Sequence, residues 1–190
     1  AQRAAARLGA RKLSTRECAV LFAPEIARSL LGHLVSAVSG ASLYRRASFL
    51  LDHAGKPVLP SFVDVVEKPF LPRGHASGTF DAEGVATRES ALVERGVLQR
   101  YVLGSYSARK LGLKTTGNAG GVHNLVVPAG SVDGEAADLR GLLQRMGTGL
   151  LVTEVIGHGV SIITGDYSRG AAGFWIENGE IAYAVQEITI

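Results

Sequence analysis

Residues Thr164 to Glu180 read TGDYSRGAAGFWIENGE, and this stretch decides the fold class. A polar, glycine-rich turn opens it and the apolar run AAGFWIE follows. Asn178 and Gly179 then form the dipeptide that most strongly marks a two-residue β-hairpin, because both positions must accept positive φ. EIAYAVQEITI, from Glu180 to Ile190, reads as the return strand. The C-terminal end of the chain is therefore expected in a sheet, entered through a glycine-rich corner.

Working upstream, LLVTEVIG (150–157) and GVSIITGD (159–166) read as two more strands. Before them a helix is expected from near Asp133 to Gly147, with Ala136, Leu139, Leu142, Leu143 and Met146 on one face and Asp133 as its cap. From Leu59 to Leu103 short apolar runs are broken by proline and glycine, and Ala91 to Leu103 folds as a hairpin across Glu94, Arg95 and Gly96. SYSARKLG (105–112) is one or two helical turns, TTGNAGGVHN (115–124) has no periodicity, and LVVPAG (125–130) is strand-like. Near the start, CAVLFA (18–23) is a short buried strand. Pro24 then opens a helix carrying Ile26, Leu30, Leu31, Leu34, Val35 and Val38 on one side, with Gly40 as its end cap. The expected fold is α+β and predominantly β, a mixed or antiparallel sheet or a barrel-like arrangement with about two substantial helices.

The 190 residues suffice for one well-filled core. The 24 glycines are roughly twice the usual share of about 7%, which favours tight connections over long helices. No apolar run reaches the ~18 residues of a membrane span, and Cys18 has no second cysteine to pair with, so a reducing, cytoplasmic setting is expected. The net charge of +3 is unevenly placed. Residues 1–16 hold Arg3, Arg7, Arg11, Lys12 and Arg16 and no acid, which leaves −2 for the rest and no broad footprint for nucleic acid. The start at Ala1, with Met146 the lone methionine, fits a piece of a longer protein.

No complete catalytic set is visible. His33, His53, His75, His123 and His158 show no metal-ligand spacing such as H-E-x-x-H. There is no G-x-S-x-G elbow, P-loop or dinucleotide fingerprint. His123 in the glycine-rich segment and His158 between two glycines are the histidines whose exposed backbone surroundings could meet a ligand.

The 164–180 segment closely resembles the C-terminal signature of the PmbA (TldE) branch of the TldD/PmbA family, TGDYSRGA-x-GFW followed by ENG. SLLGHLVSAVSGASLYRRASFL (29–50), FDAEGVATRE with the region through TTGNAGG (80–121), and NLVVPAG (124–130) fit the same branch. The resemblance implies a mainly β C-terminal domain over 18–190, with residues 1–17 a connector from an N-terminal domain. It also implies a TldD-type peptidase subunit as partner, in a heterodimer that degrades or trims unfolded peptides, with a homodimer the other assembly for the isolated domain.

In the related TldD branch a helix bears H-E-x-x-x-H after a Leu-Leu pair. The same register here is Leu30, Leu31, then Gly32, His33 and Ala37, so both ligand positions are vacated and His33 stands in place of the glutamate. No zinc or other cofactor is expected in this chain. The expected role is a non-catalytic subunit supporting partner and peptide through Thr116, Gly117, Asn118, Gly165, Asp166, Tyr167 and Arg169. Two alternatives stand beside it: a metallopeptidase with an unorthodox set such as His123, His158 and Asp166, or a regulatory module linked to DNA gyrase.

Overall fold

A computed structural model describes residues 2–128 and 138–190. These form two compact units: residues 2–33, 138–161 and 165–190 in the first, and 34–128 with 162–164 in the second. The secondary structure is mixed α+β with more strand than helix. The strands lie in two open four-stranded sheets, so the barrel-like alternative gives way to separate sheets.

The first unit is built on the long C-terminal hairpin. Strand β7 (Gly170–Glu177) pairs antiparallel with β8 (Glu180–Thr189), and Asn178 and Gly179 turn between them at φ of 52° and 77°. On its other side β7 pairs antiparallel with β6 (Gly149–Ile156), and β6 takes β1 (Ala19–Phe22) in parallel, Ala19 opposite Gly149 and Phe22 opposite Val152. The sheet order is β1-β6-β7-β8. Leu150, Val152, Ala171, Trp175 and Val185 form the buried core against one face, and Leu143, Leu151 and Ile176 form a second cluster. A fully buried aliphatic side chain of this kind contributes about 1.5–3 kcal/mol.

Leu143 comes from helix α5 (Leu139–Met146), whose N-cap Asp138 accepts from the Gly141 N–H at 2.7 Å. The expected start near Asp133 and the contact at Ala136 lie outside the described residues. The expected strand over 159–166 is instead a folded turn. Ser161 donates to the Asp166 carbonyl and Gly165 to that of Ser161, so the chain's own backbone takes up the groups a ladder would need. What remains of pairing is the bridge between Val160 and Tyr167.

The basic N-terminal arm is docked on this unit. After the short helix α1 (Gln2–Ala5), Arg3 meets Glu25 at 3.2 Å, Arg7 pairs with Glu154, and Lys12 meets Glu187 at 2.6 Å. Arg11 stacks over Tyr183 while its backbone bonds Ala184 and Gln186, and Arg16 lies over Trp175.

Helix α2 (Pro24–Ala37) forms as the proline start and 3.6-residue apolar spacing suggest. Gly40 does not cap it; it opens α3 (Gly40–Tyr44), which is capped by Ser39. A Cβ at Gly40 would overlap the Ser107 side chain on α4 (Ser105–Leu111), so close helix approach is what requires glycine there.

The second unit carries the sheet β4-β3-β2-β5, made of β2 (Val65–Glu67), β3 (Ser90–Glu94), β4 (Val97–Leu98) and β5 (Leu125–Val126). The expected hairpin across Arg95 and Gly96 joins β3 to β4. Among the described residues no helix is long and apolar enough to cross a membrane.

Candidate functional site

The second unit is organised around a buried carboxylate. Glu67 ends β2 with its side chain only 3% exposed, and four nitrogens on two other segments close on it. Its Oε2 takes an Arg100 guanidinium N–H. Its Oε1 accepts from Asn118 Nδ2 at 2.8 Å and from the His123 backbone N–H at 2.6 Å, with His123 Nδ1 3.0 Å away. Arg100 also donates to the Asn118 side-chain oxygen at 3.1 Å, to which the Thr116 hydroxyl donates at 2.7 Å. A buried charge is tolerated only when paired and hydrogen-bonded on every side. Here the partners all belong to the glycine-rich segment 115–124 or to the strand end facing it, so the carboxylate gives that aperiodic segment one shape.

A second buried carboxylate works on the same segment. Asp81 accepts from the backbone N–H groups of Glu83, Val85 and Ala119 at 2.9 to 3.0 Å. Burial pushes its carboxyl up, but these N–H bonds, with a smaller contribution from the charge of His123, together hold it below the ordinary aspartate value. Glu83 is held low by the hydroxyl and backbone N–H of Ser105, and so supplies the cap that Gly104 cannot give to α4.

Within this network Thr116 and Asn118 face inward. Asn118 is 5% exposed, Gly117 is buried at φ +73°, and the Thr116 hydroxyl accepts from the Leu103 N–H at 2.8 Å. What the segment turns outward is the backbone at Gly120 and Gly121. Sequence reasoning missed Glu67, Arg100 and Asp81. The one signal for Glu67 was a charged residue closing a short apolar run, VVE, in the stretch where such runs are broken by proline and glycine.

The remaining candidates lie in the first unit. Gly165, at φ +86°, and Asp166 are exposed on the 159–166 turn. Tyr167 and Arg169 follow, both half-buried, with the Tyr167 ring edge-on to His33 at 6.2 Å between centroids. His158 is exposed on the same connection. His123 belongs to the second unit, where Glu67 engages it.

Gly32, His33 and Ala37 all fall on α2. Gly32 is exposed and offers no donor atom. Ala37 is fully buried, so an imidazole there would displace its neighbours. Only His33 of the three could ligate, and a zinc site needs at least three protein donors. Among the described residues no three His, Cys, Asp or Glu side chains are grouped to hold a metal ion. The described residues by themselves do not fit a zinc centre.

The family model described as PmbA/TldA metallopeptidase C-terminal domain matches residues 15–190. The chain is 54% identical over 190 residues to Metalloprotease PmbA of Escherichia coli O157:H7, covering 100% of this chain and 41% of that protein. Among solved structures, a Bacteroides thetaiotaomicron protein described as a proposed modulator of DNA gyrase matches with TM-score 0.91 and 30% identity, over 99% of this chain and 41% of that one. TldE from Thermococcus kodakarensis shares the fold with TM-score 0.78 and 24% identity, over 97% and 43%. The chain thus spans about two fifths of the length of the proteins it matches.

Proposed function

From the premise that this chain belongs to the PmbA/TldA metallopeptidase C-terminal domain family, we propose that it is part of the non-catalytic half of a two-subunit zinc peptidase. In this reading the domain docks a TldD-type subunit in the cytoplasm and helps hold an extended peptide whose cleavage occurs at the partner's zinc. The observation that carries it is the helix Pro24–Ala37, where Gly32 and Ala37 lack donor atoms and His33 cannot alone replace two imidazoles and a carboxylate. Outward-facing backbone at Gly120 and Gly121 and the exposed turn around Gly165 and Asp166 suit an extended peptide, which is held mainly by main-chain hydrogen bonds.

A second reading has specific support, because the relative with 54% identity is itself named a metalloprotease. On that reading the longer protein cleaves peptides alone, with a single donor such as exposed His158 supplied here and the other ligands drawn from outside the described residues. The two readings separate when the full-length protein is produced alone and together with a TldD-type subunit, and cleavage of a labelled, unstructured peptide is followed. We expect cleavage only in the mixture, abolished by changing the partner's zinc motif and unaffected by His158→Ala. Cleavage by the protein alone, lost in His158→Ala, overturns the non-catalytic reading.

A further inference from the structure

Among the described residues, three buried side-chain atoms lack a hydrogen-bond partner: His33 Nε2, Tyr167 Oη and Arg169 Nε. Buried polar atoms are paired in the great majority of native proteins, and an orphan costs stability, so each calls for a partner not yet named. All three residues lie in the first unit, and two of them touch. The rings of His33 and Tyr167 meet edge-on, 6.2 Å between centroids at 67°. Ser168 donates its N–H to the Gly159 carbonyl while Arg169 donates to that of Ile190. Successive N–H groups pointing opposite ways mark an extended chain, so Tyr167 and Arg169, two residues apart, leave it on the same face.

All three side chains can act as donors. A guanidinium donates and cannot accept, and a phenol and an imidazole can each donate as well. Such a set matches an anionic oxygen pair, and arginine is the side chain best shaped to receive a carboxylate. Exposed Gly165 and Asp166 directly precede Tyr167, so a ligand would enter by displacing that turn.

We propose that His33, Tyr167 and Arg169 form a niche for the carboxylate of a bound peptide. The inference rests on the peptide-binding reading above and adds to it a chemical preference. Two sources share this chemistry, a peptide's C-terminal carboxylate and an acidic side chain.

The test uses the full-length protein together with its TldD-type partner, the partner's zinc motif inactivated so that peptides are bound and not cut. Three N-terminally labelled probes are compared by fluorescence anisotropy: penta-alanine with a free C-terminus, its C-terminal amide, and the amide carrying a central glutamate. Tighter binding of the first probe than of its amide, by about tenfold or more, assigns the niche to a C-terminus; recovery by the third assigns it to a side chain. Either preference should vanish in Arg169→Gln, return in part in Arg169→Lys, and weaken in Tyr167→Phe, which keeps the ring against His33. Equal affinity for all three probes, or a preference that survives Arg169→Gln, overturns the niche while leaving peptide binding in place. Binding of none of the probes overturns both the niche and the reading beneath it.

Discussion

The two four-stranded sheets hold themselves together by different means. In β1-β6-β7-β8 the strands β6 to β8 run eight to ten residues, the interior is aliphatic with one tryptophan, and the charged side chains stay at the surface against the basic arm. In β4-β3-β2-β5 the strands are two to five residues long, and beside its apolar core lie Glu67, Asp81 and Asn118, all buried and all bonded. Short strands leave much of a unit to irregular backbone, whose N–H and C=O groups still need partners. The second unit meets that need with carboxylates, and its specificity therefore depends on a few polar residues in a way the first unit's does not.

This contrast breaks hardest at Glu67. Glu67→Ala leaves the Arg100 guanidinium buried without its carboxylate, a change that costs about 3–5 kcal/mol; urea unfolding should show it, with Glu67→Gln losing less. Amide exchange should speed first over residues 115–124, with the β7–β8 hairpin still protected. In the aliphatic sheet, Ile176→Ala opens a cavity at a fully buried position, and should cost about 2–5 kcal/mol. Its effect should fall on exchange in β6 to β8 and spare the glycine-rich segment.

A smaller effect is expected with acid. Because Asp81 titrates below its ordinary value when folded, its contribution is present above the unfolded aspartate value of about 3.9 and is lost as pH falls through the lower folded value. An Asp81→Asn protein should therefore show a flatter stability profile below about pH 4 than the parent. The smallest effect is expected on the arm. Arg16→Ala removes a guanidinium from over the Trp175 ring and should cost about 0.5–1 kcal/mol, read as a slight shift in unfolding midpoint.

The same contrast governs what the amino-acid sequence reveals. The β7–β8 hairpin is legible because its signals, apolar runs and Asn178-Gly179, are adjacent in the chain. The start of α2 is legible from Pro24 for the same reason. Its end is not, because Gly40 answers to Ser107 on a distant helix, and no local pattern announces that. GVSIITGD has the β-branched composition of a strand, but the backbone of Ser161, Gly165 and Asp166 closes on itself first. Glu67 finds its partners 33, 51 and 56 positions away, at Arg100, Asn118 and His123. The site candidates were thus legible as a glycine-rich segment and a glycine-rich turn, while the carboxylates that shape the first of them were not. The lack of donor atoms at Gly32 and Ala37 could be read directly, as a property of the residues themselves, whereas their standing at ligand positions is only what the resemblance implies.

The role we propose places this chain in the half of a peptidase that does not carry the metal. Metal content of the full-length protein, purified without its TldD-type partner and measured by mass spectrometry, tests it most directly. Zinc far below one equivalent per chain is expected, with zinc appearing when the partner is added. A full equivalent of zinc in the protein alone, lost on His123→Ala or His158→Ala, would contradict it.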